Sequence, residues 1–458
     1  MKLTYLSAAL ALTLSQNAVA SPWINSDENE LKHSIDLLVS HGLINRPVNQ
    51  YPLLWQGLVQ DLAQIDGENV PLSAEFALAH VRHALQQAKR KQYSSIKAHF
   101  DDAPKLQDGM GERQASQSGI SSYAVITNSH VSAKVQVNYT DKALDDKKVS
   151  HYGSHLAILY GNWAVSAERL NYWWGPANEN ALMLSNNAAP MKASRLSRAN
   201  SDYAGPSLFS FVGPWQVTAI AAKQKPSLLD NRSGDFWGLR LSSSPLNGLE
   251  VAFSTTSSDF VLEQPLLDSK PAVKQRLTGI DVKFSGSIFN QALAAYAEVT
   301  GNNDTGILPS EKMVTVGIEH YTGNAQYRLK SYLEYSDSTT DCQAQQASFQ
   351  CNFALTSGGS EYTQRQQWLG AAIGPQAKSV TLAADYHALA GFGAFAKLKF
   401  IDFEYLKVER TLLELGYQQG LFNGLLKTGI SVWQDKSTAQ AKDKDTHSAV
   451  KLSWEYQF

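Results

Sequence analysis

From Tyr93 to the end of the chain, apolar and polar residues alternate. Ile96, Ala98 and Phe100 take turns with polar neighbours, and the same period of two recurs in segments of about ten residues. That is the length a tilted strand needs to cross a bilayer. The last segment is the clearest. Val450, Leu452, Trp454, Tyr456 and Phe458 form one face, and Lys451, Ser453, Glu455 and Gln457 the other. A polar or charged residue at every second position suits a wet lumen better than a dry sandwich core. A second clear strand opens with Trp163, Val165 and Ala167 on one face and Ala164, Ser166 and Glu168 on the other. Glu168 is expected to face the lumen, and Arg169 to lie at the membrane edge.

The connections alternate in length. Short turn signals stand at Asn128-Ser129, Gly161-Asn162, Gly213-Pro214, Asn247-Gly248, Gly286-Ser287, Gly323-Asn324, Gly374-Pro375 and Asn423-Gly424. Between them lie long polar stretches near 141–150, 172–205, 224–234, 257–274, 300–311, 337–362, 389–408 and 435–446. Tight turns at one end and long loops at the other are the rhythm of an outer-membrane barrel, here of about eighteen strands. Positions 394–405 are apolar enough for a strand, but a strand there breaks the inside–outside parity of Asn423-Gly424. The segment 389–408 is therefore assigned to a loop.

Before Tyr93 the period is helical. Leu31, Ile35 and Leu38 follow a capping-box pattern at Asp27 and Glu30, with Gly42 placed to stop the helix. A second helix is expected from near Pro52, with Leu54, Leu58, Leu62 and Ile65 on one face. A third is expected from Ser73 as N-cap, with Ala77, Val81, Ala84 and Leu85 as its stripe. Three short amphipathic helices can bury their stripes against one another or against a barrel rim. The first twenty residues read as a signal peptide: Lys2, an apolar run over 3–14, then Ala18-Val19-Ala20 as cleavage site. No later run is long enough for a membrane helix, so an exported chain of this kind becomes integral only as a barrel. The expected organisation is signal peptide 1–20, periplasmic helical bundle 21–92 and barrel 93–458. The fold class is mainly β: a transmembrane antiparallel barrel with a small N-terminal α-helical bundle.

Composition agrees without deciding. Aromatic residues make up 10% of the chain and charged residues 18%, fewer than the roughly 25% of an average soluble domain. A net charge of −2 offers no basic field for nucleic acid. A large soluble all-β protein shares these numbers. Cys342 and Cys351 are the only cysteines, and an exported chain that meets an oxidising compartment is expected to join them as a disulfide.

No nucleophile elbow, P-loop or zinc-helix motif occurs, so no catalytic residue, metal or cofactor is assigned. His80 and His83 lie one helical turn apart and read as surface histidines. Asn302-Asn303-Asp304 reads as a turn-forming loop tip. The segment after Glu168 is richer. Tyr172, Trp173 and Trp174 stand close to Asn178, Glu179, Asn180, Ser185, Asn186 and Asn187. Flat rings pack on the C–H face of a sugar, while amides and carboxylates bond its hydroxyls. Trp173, Trp174, Glu179, Asn186 and Asn187 are therefore candidate carbohydrate contacts. The same tryptophans would also serve as an interfacial girdle or as the core of a loop folded into the lumen.

The Trp173-Trp174-Gly175-Pro176 element, followed by Leu184-Ser185, Asn187-Ala188 and Pro190, resembles the signature of the Wzi family of outer-membrane capsule-assembly proteins. Where the family continues with Gly-Trp, this chain has Ala177-Asn178. The resemblance implies a non-catalytic lectin that helps attach exported capsular or extracellular polysaccharide to the cell surface. The terminal Phe458 resembles the signal read by the barrel-insertion machinery. Implied partners are thus polysaccharide, outer-membrane lipid and that machinery, with the protein itself a monomer. A porin-like channel and a barrel hydrolase are the alternatives; the hydrolase lacks a Ser/His or paired-carboxylate site at any recognisable spacing.

Overall fold

The computed structural model describes residues 22–104, 108–203, 205–226, 233–261, 272–288, 291–302, 308–340, 362–389, 391–438 and 444–458. The expected signal peptide, the cysteine pair and Asn303-Asp304 lie outside them. Eighteen antiparallel strands close into a barrel. Each pairs with its neighbours in chain order, and the last, Lys444–Gln457, pairs with the first, Gln92–Asp101, with Tyr456 opposite Ile96. Closure leaves no strand edge unpaired, which is the condition for a sheet to sit in hydrocarbon. The fourth strand is interrupted: Val149–Ser150 and His155–Tyr160 both pair with Val131–Asp141.

The period-two pattern becomes an inside and an outside. Along Gly234–Leu246, Trp237, Leu239 and Leu241 are exposed on the outer wall, while Arg240 and Ser242 are buried in the lumen. Trp163 and Val165 point out, and Ser166 and Glu168 point in, as their alternation requires. At the C-terminus Val450, Leu452 and Phe458 are exposed on the outer face.

Two loop assignments are corrected. Lys192–Arg198, inside the stretch 172–205, is a strand that pairs with Trp163–Glu168. Before the turn at Gly213 the chain instead forms a short 3-10 segment, Ser207–Val212, with Leu208, Phe209 and Phe211 exposed. The second correction is 389–408, where Gly393–Phe403 is a strand paired on both sides. Parity survives because Gly374-Pro375 is no tight turn between strands. It belongs to one long connection between Tyr327–Asp337 and Ala377–Ala388, whose described residues include the small hairpin Thr363–Gln364/Gln367–Trp368. The alternation of Phe395, Lys397 and Lys399 with Ala396, Leu398 and Phe400 is the strand's own pattern, with Ala396 and Phe400 exposed and Lys399 buried.

The helices are α1 (Asn29–Ser40), α2 (Trp55–Gln64) and α3 (Glu75–Ala88). None of the described helices is long and apolar enough to cross a membrane. The capping details differ from the sequence pattern. α1 starts after Glu28 with no side-chain cap, and Glu28 instead accepts the Asn25 N–H at 3.0 Å. Ser73 sits in a 3-10 turn, Leu72–Ala74, and its Oγ meets His41 Nε2 at 2.9 Å. Gly42 does end α1, with φ +69°. The apolar stripes merge: Leu31, Ile35, Leu38, Leu58, Leu62, Ala77, Val81 and Leu85 share one core. That core also takes in Tyr296 and Tyr321 from the barrel wall. The helices therefore close the barrel end that carries the short turns. Arg328, just past the turn at Asn324, donates to Glu30 O at 2.6 Å, and Lys283 pairs with Asp36 at 3.2 Å.

Leu398 lies between Leu382 and Leu413, both exposed on the outer wall. Replacing Leu398 with Arg should cost about 2–4 kcal/mol in lipid vesicles, the price of a charge on the lipid face near mid-membrane. Denaturant unfolding in vesicles measures it, and a loop at this position would show almost no loss.

Candidate ligand site in the lumen

The connection 169–191 does not hang outside the barrel; it is folded into it. Trp173 and Trp174 pair antiparallel with Tyr51 and Gln50, and Trp174 N–H donates to Leu184 O at 2.9 Å. Both indoles are buried, at 0% and 1% exposure. Trp173 Nε1 donates to Ala177 O at 3.0 Å. Tyr172 donates to Glu168 at 2.7 Å, and Arg195 holds the same carboxylate at 2.9 and 3.1 Å. Of the readings open at the sequence level, packing of a folded-in loop is the one the geometry realises. Neither tryptophan presents a face to a sugar: Trp173 packs with the helices, and Trp174 with the wall at Phe236 and with Tyr362 and its own loop.

The wall grips this loop by its backbone. The N–H groups of Asn178, Glu179 and Asn180 all donate to Glu334, at 2.7, 3.1 and 2.9 Å. Successive amides converging on one carboxylate make an anion nest, here filled by a residue of the barrel itself. Leu182 N–H donates to Glu298 at 2.9 Å. Gly175 is needed nearby: its φ is +128°, and a Cβ would stand 2.5 Å from Glu298 Oε2. Asn178 carries the contact further, donating to Glu319 at 2.7 Å and accepting from Lys330 at 2.6 Å.

Asn186 and Asn187 are also buried and spent on backbone. Asn186 Nδ2 donates to Gly111 O at 2.6 Å, and Asn187 Nδ2 to Trp368 O at 3.0 Å. Ser185 Oγ donates to Gly370 O at 2.6 Å. These three side chains tie two other long connections down onto the folded-in loop. The element around Leu184–Pro190 thus acts as a keystone: its side-chain donors are all held by backbone carbonyls of those connections, while Asn186 Oδ1 and Asn187 Oδ1 are buried without a hydrogen bond.

Glu179 is different, since it borders open space. It meets Lys397 at 2.9 Å and Lys399 at 2.6 Å, and Tyr332 Oη donates to it at 2.5 Å. Burial would raise its carboxyl, but the two lysines outweigh that and hold it at about 2. The adjoining cavity measures about 170 Å³ and lies between the N-terminus of α1, the segment 108–114 and the wall strands from Ala377–Ala388 onward. Phe395, Lys397, Glu414 and Lys451 reach it from the wall, and Glu112 and Gln114 from the connection. Lys97 and Lys427 outweigh burial at Glu112 and lower it to about 2. Sequence reasoning missed this cavity. Its wall runs through the segment assigned to a loop, where Phe395, Lys397 and Lys399 at alternate positions were the available signal.

The two helix histidines do not converge. His80 Nδ1 meets Ser34 Oγ at 2.9 Å, while His83 is exposed beside Gln87. Among the described residues no group of His, Cys, Asp and Glu is arranged to hold a metal.

A closed barrel filled by helices and one inward loop is now matched by comparison. The family model described as capsule assembly protein Wzi covers residues 88–258 and 269–412. The chain belongs to the Wzi family. An uncharacterized 55.8 kDa protein of the cps region of Klebsiella pneumoniae is 22% identical over 370 residues, covering 74% of this chain and 70% of that one. The solved structure of Escherichia coli Wzi is similar at a TM-score of 0.78 and 19% identity, covering 95% of this chain and 99% of that one. That protein is described as an outer-membrane protein involved in group 1 capsule assembly and as a carbohydrate-binding β-barrel. As a member of the Wzi family, the present barrel is an outer-membrane protein. Its exposed apolar belt therefore faces lipid.

The burial of the tryptophans sets one expectation. Replacing Trp173 and Trp174 together by Ala should cost the inward loop about 3–5 kcal/mol per residue and loosen the plug while the wall stays closed. Planar-bilayer recordings should then show conductance steps that the parent protein lacks; identical traces would contradict the plug.

Acid sensitivity follows from lowered carboxyls outside the wall, Glu112 among them. Glu179 and Asp36 are each lowered to about 2 from ordinary values of 4.5 and 3.8; for Asp36, Lys283 and Lys32 outweigh burial. Depressed folded-state values stabilise above the ordinary pKa, and the contribution fades as pH falls toward 2. Protease resistance of the lumen segments should begin to fall below about pH 6.5, as buried His33 and His80 are lowered to about 3 and about 4, and fall further between pH 4 and 2 as the carboxylates take protons, with that second fall shallower in Glu179→Gln.

Proposed function

We propose that this chain binds exported capsular or extracellular polysaccharide at the outer-membrane surface and helps attach it to the cell, without catalysing a reaction. Family membership supports this, as does the carbohydrate binding described for Escherichia coli Wzi. The observation that carries the reading is the filled lumen. Helices close the short-turn end, and the connection 169–191 is fastened to the wall by buried carboxylates. A conducting pore needs an open path, whereas a surface lectin needs a rigid platform under its loops. On this reading the helices face the periplasm and the long connections face outward. A disulfide between Cys342 and Cys351 would stiffen one of those connections, and Phe458 would serve as the insertion signal for the barrel-insertion machinery. The protein acts as a monomer, and many weak contacts along one polymer supply avidity that a single sugar site lacks.

Cells lacking the protein should shed polymer into the medium, and re-expression should return it to the cell fraction. Immobilised purified protein should also retain that polymer in detergent. Unchanged cell-bound polymer in the deletion strain, together with no retention on the purified protein, would overturn the proposal.

A further inference from the structure

The cavity beside Glu179 has features that packing alone does not require. Phe395 and Gly416 are cross-strand partners. A Cβ on Gly416 would run into the Phe395 ring, so the glycine lets that ring lie flat along the wall. Its other face turns to the cavity, where Lys451 Nζ stands 5.6 Å from the ring centroid. Lys451, which also reaches Glu414 at 2.7 Å, lies over that face at the outer edge of cation–π range, and a ring stacking on Phe395 would displace its amine while Glu414 keeps the charge paired. On the connection that lines the same space, Gln114 Oε1 is buried without a hydrogen-bond partner. A buried acceptor with no donor carries an unmet cost that an incoming hydroxyl would relieve.

The charge around the space narrows what can enter. Lys397, Lys427 and Lys451 line it, but carboxylates outnumber them: Asp101, Asp108, Glu112, Asp385 and Glu414 join Glu179. Lys397 and Lys451 are already paired, to Glu179 and to Glu414. A second anion would meet repulsion there without a free cation in compensation. A flat apolar face with hydrogen-bond acceptors around it fits a sugar ring.

We infer that this cavity is a subsite for one uncharged or amino hexose of the polymer, with Phe395 as its stacking platform and Gln114 as a hydroxyl acceptor. The inference rests on the polysaccharide-binding reading above. It assigns that reading a place inside the barrel, away from Trp173 and Trp174, and it excludes uronates from that place.

The test uses the full chain in detergent and saturation-transfer NMR with methyl glucoside, glucosamine and glucuronate. The first or second sugar should receive saturation and glucuronate should not. Phe395→Ala should weaken the binding sugar about ten-fold, and Phe395→Trp should keep it. Gln114→Ala, which disturbs no strand ladder, should weaken it as well and guards against a misfolded Phe395→Ala. Transfer from none of the three sugars, transfer to glucuronate equal to the others, or wild-type affinity in both Ala variants would overturn the subsite. Polymer retention on the same proteins separates the two readings. If wild type retains polymer while the subsite fails, only the subsite is wrong; if wild type retains none, the lectin reading falls too.

Discussion

Charge inside a closed ring of strands has to be neutralised by something that also enters the ring. Period-two alternation puts hydrophobic residues against lipid and thereby forces polar ones into the lumen. Many of these are ionic: Arg240, Lys283, Glu298, Glu319, Lys330 and Glu334 are all buried. An isolated buried charge is costly, so each is matched. One chain of contacts runs from Lys32 to Asp36 at 2.6 Å, on to Lys283 at 3.2 Å, then Glu319 at 2.8 Å and Lys330 at 3.0 Å. It begins on a helix and ends on the wall, and Lys330 passes it to Asn178 of the inward loop.

The same principle explains why the loop is held by its backbone. Glu334 and Glu298 project from neighbouring parts of the wall with no arginine fork against them. Consecutive amides of the loop supply the missing donors. Removing such a carboxylate strands several N–H groups at once, so loop and wall specify each other. The plug is thus an integral part of the barrel's electrostatics. This is the physical ground for reading the molecule as a platform and not a conduit.

The wall from Ala377–Ala388 to Lys444–Gln457 is the part the helices and the loop cover least. There, some lumen residues pair along the wall, as Lys451 does with Glu414, while Lys397 and Lys399 reach Glu179 of the inward loop. Pairing along the wall, over the intervening strand Gly424–Ser437, leaves room between wall and plug, and that room is the cavity.

The chain's own pattern determined the barrel, the even strand number, the direction of Glu168 and the three helical stripes. Each of these depends on local period, and period is a property of consecutive residues. It also located the family element at Trp173–Pro176. What it left open was where that element goes. Tryptophans beside amides suit a sugar surface and a packed plug equally, and the choice was made by Tyr51, Ala177 and Glu334, far away in the chain or hidden in backbone atoms. Caps failed for a related reason: Ser73 found His41, and Glu28 found Asn25. The cavity was invisible because it exists only where strands distant in sequence stand across from one another. Local alternation fixes which way a side chain points; what it meets there is decided by closure of the ring.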